Sequence, residues 1–151
     1  MTTSGTVTVE QVDAETTLPL RSSVLRPGRP AAIPGDEDPA TLHLAARLPG
    51  GRVVGVVRFH PAACTWRAAE QPWQLRGMAT DPEVRGAGAG RALVAEGLAR
   101  LAADGADLVW CDAREAAVGF YERMGFTVVT DTYDVPAVGP HRGMVVELPI
   151  R

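Results

Sequence analysis

Neither lysine nor asparagine occurs among the 151 residues, and all 15 of the Lys and Arg positions are arginine. That bias hints at a GC-rich coding sequence and says nothing of function. Cysteine is scarce. Cys64 and Cys111 lie far apart, without a C-x-x-C pair or any metal-ligand spacing, so both are expected as reduced thiols and no metal is expected. No apolar run is long enough to cross a bilayer. The opening residues Met1–Thr6 lack a charged segment and an apolar core, so no secretory signal is expected and a cytoplasmic location is. Positive charge is not in excess either. A net charge of −3 gives no global field to draw nucleic acid. Repeats, low-complexity tracts and a Ser-His-Asp set are missing too. What remains is 46% hydrophobic and 22% charged residues, enough for a core, in a length that suggests a single domain over 1–151.

Hydrophobic periodicity gives the element order. Residues 6–12 alternate and read as a strand, and residues 15–25 suit a helix that Pro19 weakens. Residues 26–39 are a proline-rich loop ending in Asp36-Glu37-Asp38, read as a solvated tip. Residues 41–48 alternate, 49–52 form a turn, and 53–60 read as a buried strand. Residues 73–80 are the next strand, and 91–103 a helix with Val94, Leu98 and Leu101 on one stripe. Residues 107–111 are a short core strand. Asp112, with Glu115 three residues on, resembles an acidic capping box for a helix ending at Met124, with Gly125 as its left-handed stop. A strand over 126–131, a loop through Pro136 and Pro140, and a last strand over 142–148 complete the chain. This order implies an α/β or α+β fold with one sheet and covering helices.

The most informative stretch is Gln74–Arg91. Pro82 stops the strand, and Arg85-Gly86-Ala87-Gly88-Ala89-Gly90 opens the helix that starts at Arg91. A helix start leaves backbone N–H groups without partners and favours anions, and glycines let a large anion approach them. The physical reading is a phosphate or pyrophosphate cradle. A Walker A loop fails, because Arg91-Ala92 stands where Lys-Ser/Thr is needed. The dinucleotide fingerprint fails, because Arg91 stands where its third glycine is needed.

The loop Arg85–Gly90 resembles the coenzyme-A pyrophosphate signature of the GNAT N-acetyltransferase superfamily. A second stretch is similar to the same superfamily's pattern Asn-x-x-Ala-x-x-Phe-Tyr-x-x-x-Gly-Phe, matching at Ala117, Phe120, Tyr121, Gly125 and Phe126 and departing at Arg114, where Asn is usual. The resemblance covers about the C-terminal two-thirds of the chain. It implies a mixed, mostly antiparallel sheet of about seven strands with helices on both faces, in which parallel neighbours, here 74–80 and 107–111, splay to admit the cofactor.

The resemblance also implies acetyl-CoA as acyl donor, used without a metal. The donor would be held by Arg85, Gly86, Ala87, Gly88, Ala89, Gly90 and Arg91, by the strand backbone of Met78, Ala79 and Thr80, and at Arg114 in place of the usual Asn. Tyr121, four residues after Ala117 and seven after Arg114 on one helical stripe, would protonate the leaving thiolate. A buried structural tyrosine is the alternative. His141 would border the acceptor. The general base is not legible: Asp81 and Glu83 read as turn carboxylates, Asp112 as a cap, and His60 as a structural or exposed histidine. The acceptor would be a small-molecule or peptide amine. If Asp36-Glu37-Asp38 faced the acceptor side they would steer a cationic amine. Neither nucleic acid nor a membrane is expected as partner, and a homodimer stays open. A non-catalytic acyl-CoA-binding or regulatory module on the same fold is the alternative function.

Overall fold

The computed structural model describes residues 7–84 and 86–150. Its elements in chain order are β1 (Thr8–Val12), α1 (Ala14–Val24), β2 (Leu42–Arg47), β3 (Val53–Pro61), β4 (Pro72–Thr80), α2 (Ala89–Ala103), β5 (Leu108–Arg114), α3 (Val118–Arg123), β6 (Thr127–Val128), β7 (Tyr133–Val135) and β8 (Gly139–Glu147). Among the described residues eight strands form one mostly antiparallel sheet in the order β1-β2-β3-β4-β5-β8-β6, with β7 paired to β8. The mixed α/β class read from the sequence is met. By Cα proximity the chain divides into two compact units, one built from the chain up to His60 and from Arg76–Gly97, the other from Pro61–Leu75 and from Leu98 onward.

In the first unit, β1 and β2 pair antiparallel from Thr8↔Arg47 to Val12↔His43, and β2 continues against β3. The long buried run of β3 holds Val54, Val56, Val57 and Phe59. Helix α1 starts where Asp13 Oδ1 accepts the Thr16 N–H at 3.0 Å. It persists through Pro19, which removes one helical hydrogen bond, because tertiary contacts anchor the turns on either side. Thr17 and Arg21 are both buried. Helix α2 shows propensity overridden by close approach. A Cβ at Gly97 would lie 2.3 Å from the Phe59 ring, and one at Gly55 would lie 2.8 Å from Leu93 Cδ1. Only glycine lets this helix and β3 meet so tightly, at a cost of about 1 kcal/mol for a glycine inside a helix.

The second unit is centred on β5 and β8, which pair antiparallel over seven positions, Leu108↔Glu147 to Arg114↔His141. Leu108, Val109, Cys111, Ala113, Met144 and Val145 are buried along them. This pairing corrects the capping-box reading. Asp112 is not a helix cap, since β5 runs on to Arg114, residues 115–117 make a 3-10 turn and α3 begins only at Val118. The long β8 partner outweighs a local Asp-x-x-Glu signal. Gly125 does stop α3: its φ is 101°, and the Phe126 N–H reaches back to the Tyr121 carbonyl at 3.0 Å. The strand expected over 126–131 shrinks to β6. The loop expected through Pro136 and Pro140 is instead a hairpin, with Tyr133↔His141 and Val135↔Gly139 in register.

Candidate active site

In the first unit the glycine-rich stretch sits between a 3-10 turn at Pro82–Val84 and α2. Asp81 builds the entry. Its N–H donates to the Val54 carbonyl at 2.9 Å, its Oδ1 accepts the Glu83 N–H at 2.9 Å, and its Oδ2 accepts from Arg52. Glu83 is exposed and lies 3.6 Å from the same arginine. Both are turn carboxylates, as expected from the sequence. Gly86 and Gly88 have φ of 86° and 75°, values that favour glycine. A Cβ built on Gly86 would meet nothing within 4 Å. The Gly88 carbonyl accepts the Ala92 N–H at 2.9 Å as α2 begins. In a 15-residue helix this leaves the N–H groups of its first turn without helical acceptors, next to open backbone. That arrangement fits a phosphate-bearing donor. Ala87 is half-buried, Ala89 is buried, Gly90 lies in the first turn and Arg91 is exposed. Arg85 lies outside the described residues.

Strand β4 leads into this loop. Met78 is half-buried, Ala79 buried and Thr80 exposed. The sequence reading missed Gly77, whose φ of 66° breaks regular strand geometry just before Met78. A left-handed glycine inside a strand marks an irregularity that re-aims its neighbours, and a lone glycine in a strand pattern was the available signal. In the second unit, the parallel register of β4 with β5 covers Pro72↔Leu108, Trp73↔Val109 and Gln74↔Trp110. The expected pair of parallel neighbours is thus present over three positions.

The first unit also holds a charged cluster that the sequence did not reveal. Arg21 and Arg58 are buried, and both donate to Asp36: Arg21 Nη1 to Oδ2 at 2.8 Å, Arg21 Nη2 to Oδ1 at 3.1 Å, and Arg58 Nη1 to Oδ1 at 2.7 Å. The Ile33 N–H adds a bond of 2.9 Å to Oδ2. Burial pushes the Asp36 carboxyl up, but the Arg21 guanidinium, the Ile33 N–H and Arg58 outweigh it and hold the group down at about 2. This corrects the reading of residues 36–38 as a solvated or substrate-steering acidic tip. Asp36 is enclosed by two arginines, and only Glu37 and Asp38 are exposed. Arg58 Nη2 also donates to His60 Nδ1 at 3.1 Å. An arginine cannot accept, so neutral His60 carries its proton on Nε2. Burial, then Arg58 and Arg76, push His60 below the usual imidazole range.

In the second unit Tyr121 is 7% exposed, set edge-on to Phe120 at 5.1 Å and Phe126 at 5.4 Å between ring centroids. Burial, reinforced by Cys111, pushes its phenol well above the ordinary range, so it keeps its proton at neutral pH. Its hydroxyl makes no hydrogen bond to a protein group among the described residues. Arg114 does not share a helical stripe with Tyr121, because it ends β5, exposed and opposite His141. His141 is buried within β8. Its Nδ1 lies 2.9 Å from the Gly139 carbonyl, which only accepts, so in the neutral ring Nδ1 carries the proton and Nε2 the lone pair. Asp112, misread as a cap, instead accepts from the Tyr133 hydroxyl and, at 3.4 Å, from Gln74 Nε2.

A model of the acetyltransferase (GNAT) family matches residues 11–126. This chain belongs to the GNAT acetyltransferase family. It is similar to the uncharacterized N-acetyltransferase YitI of Bacillus subtilis, with 28% identity over 136 residues that make up 88% of this chain and 91% of that protein. A mycothiol acetyltransferase of Thermobispora bispora is 41% identical over 96 residues, 60% of this chain, and the match spans only 31% of that longer protein. The fold is shared with the GNAT family N-acetyltransferase YhbS of Escherichia coli, solved in complex with CoA, at a TM-score of 0.72 and 24% identity over 95% of this chain and 82% of that one. Among the described residues no group of His, Cys, Asp and Glu could hold a metal ion, and no helix is long and apolar enough to cross a membrane.

Proposed function

We propose that residues 1–151 act as one N-acetyltransferase domain that moves an acetyl group from acetyl-CoA to a primary amine by direct attack, without a covalent enzyme intermediate. The observation that carries this reading is the start of α2, where two left-handed glycines precede a first turn whose N–H groups have no acceptor within the helix, in a chain of the GNAT family. When bound, the donor supplies an acyl group on a thiolate leaving group.

The residues of the chain have separable tasks. The N–H groups from Gly86 to Arg91 hold phosphate oxygens at the positive end of the helix. Arg91, together with Arg85, adds charge to that hold. The backbone of Met78, Ala79 and Thr80 pairs with the amides of the donor's arm in the manner of an added strand. The Met78 N–H, just beyond the irregularity at Gly77, polarises a carbonyl oxygen. Arg114 stands at the position where the family pattern has an arm-binding Asn. Tyr121 keeps its proton at neutral pH and delivers it to the departing sulfur. His141 borders the acceptor.

Gly90→Val tests the hold. Gly90 lies inside α2 and is not one of the left-handed glycines, so a branched Cβ there obstructs the approach to the N–H groups without the backbone strain that Gly88→Val would add. Calorimetry with CoA is expected to show binding by the natural chain and none by the variant. Equal affinity in both would refute the cradle.

A further inference from the structure

One face of the β5–β8 ladder carries both an exposed carboxylate and a group of aromatic rings. Trp110 and Asp112 are two apart on β5 and therefore share a face. Opposite them on β8 stand Val145 and Gly143. Gly143 makes room for an indole: a Cβ there would lie 2.7 Å from Trp66. The same Trp66 meets Trp110 edge-on at 5.4 Å between centroids and meets Tyr133 at 6.5 Å. The rings are held in place. Trp110 Nε1 donates to the Ala62 carbonyl at 2.9 Å, Tyr133 donates its hydroxyl proton to Asp112, and the Tyr133 ring stacks on His141. Three of the five tryptophans and tyrosines in the chain thus pack against one another on this face, and one of them is bonded to the carboxylate.

The ion pairs of Arg21, Arg47, Arg52, Arg58 and Arg67 go to Glu10, Asp36, Asp81, Glu83 and Glu147 and leave Asp112 aside. Arg114 lies on the same face two residues on, yet is not drawn onto it. Of the roughly four lone-pair sites on a carboxylate, the Tyr133 hydroxyl takes one and the Gln74 amide at 3.4 Å makes a weak second contact. A fixed anion beside fixed indole and phenol rings matches an alkylammonium ion. The carboxylate accepts its N–H groups, and the ring faces attract its charge and cover its methylenes.

We propose that Asp112, with Tyr133, Trp66 and Trp110, binds an ammonium group of a cationic acceptor other than the amine that is acetylated. This rests on the amine-acetylating reading above and narrows its acceptor to amines that carry a second, cationic group. Because the rings are already seated, binding orders few side chains.

The test is titration of the full chain with 1,4-diaminobutane in the absence of acetyl-CoA, followed by tryptophan fluorescence and calorimetry, with 1-butanol and butanoate as uncharged and anionic controls. The natural chain is expected to bind the diamine saturably and neither control. Asp112→Asn keeps the shape and is expected to weaken binding by about tenfold or more, as for loss of a charge-assisted contact. Trp66→Leu is expected to weaken it about threefold or more through loss of a ring face. No saturable binding, or equal affinity in Asp112→Asn, overturns the proposal. Thiol release from acetyl-CoA is measured on the same preparations. If it occurs with one kcat/KM for diaminobutane in both the natural chain and Asp112→Asn, the ammonium site falls while the transferase stands. If no amine releases thiol but Asp112-dependent diamine binding persists, the ammonium site stands and the transferase reading falls.

Discussion

Asp36 in the first unit accepts from two guanidinium groups and a backbone N–H with only 7% of its side chain exposed, whereas Asp112 in the second accepts from one phenol and one distant amide and stands in solvent. In the sequence the first looks like part of a free acidic tip and the second like a helix cap, and each assignment is the wrong way about. Asp36 is committed to structure. Asp112 is exposed and accepts from fewer groups, which is why it is proposed to take an ammonium ion. Burial and the number of partners set the difference, and both depend on chain segments distant in sequence, Arg58 for Asp36 and Tyr133 for Asp112.

Substitution breaks this comparison most directly. Asp36→Asn leaves two buried guanidiniums facing a neutral amide, and chemical denaturation is expected to show a loss of about 3–5 kcal/mol, the usual cost of stranding a buried charge. Asp112→Asn is expected to stay within about 0.5 kcal/mol of the natural chain, as for an exposed position. Comparable losses would erase the distinction. Arg58→Met sharpens it, because Arg21 and Asp36 then balance one to one. It is expected to cost less than Asp36→Asn.

Acid titration reads the same cluster. The carboxyl of Asp36 is held at about 2 when folded, against an ordinary 3.8, so its stabilisation is present above about pH 4 and is lost as pH falls toward about 2. A depression of this size is worth roughly 2 kcal/mol. Stability followed from pH 6 to pH 2 is expected to fall by about that much more in the natural chain than in Asp36→Asn. Parallel curves would remove Asp36 from the account of acid sensitivity.

The smallest effect concerns the first unit's framework. Gly97→Ala improves helix propensity by about 1 kcal/mol but drives a methyl group to within 2.3 Å of the Phe59 ring. Overpacking of about 1–3 kcal/mol is expected to outweigh the gain, so the thermal midpoint falls. A rise would mean that the contact between α2 and β3 relaxes without cost.

Much of this was legible in the sequence, and the pattern of misses has a physical cause. Alternation located β1 and β2, a continuous apolar run located β3, a helical stripe located α2, and Gly125 marked the end of α3, because each of these signals is local. The glycines at 86 and 88 announced an open loop for the same reason. Asp112 was misplaced because Asp-x-x-Glu is a local pattern, while β5 is prolonged by seven pairings with a strand some thirty residues on. The hairpin of β7 was hidden by Pro136 and Pro140, whose turn signal is real but shorter than the loop inferred from it. Gly77 was passed over because a single glycine inside a strand looks like noise until its φ is known. The Arg21–Asp36–Arg58 cluster joins three separate segments, and no window of sequence contains it.

The central claim is acyl transfer to an amine with Tyr121 as proton donor, and thiol release from acetyl-CoA tests it most directly. The natural chain, given a panel of primary amines, is expected to release one thiol for each amine acetylated. Tyr121→Phe is expected to bind CoA with unchanged affinity and to turn over about 10²-fold more slowly, as for the loss of a general acid. Tight CoA binding with no thiol released to any amine would contradict the claim and leave a non-catalytic acyl-CoA-binding module. Undiminished turnover in Tyr121→Phe would leave the transferase in place and remove Tyr121 from its chemistry.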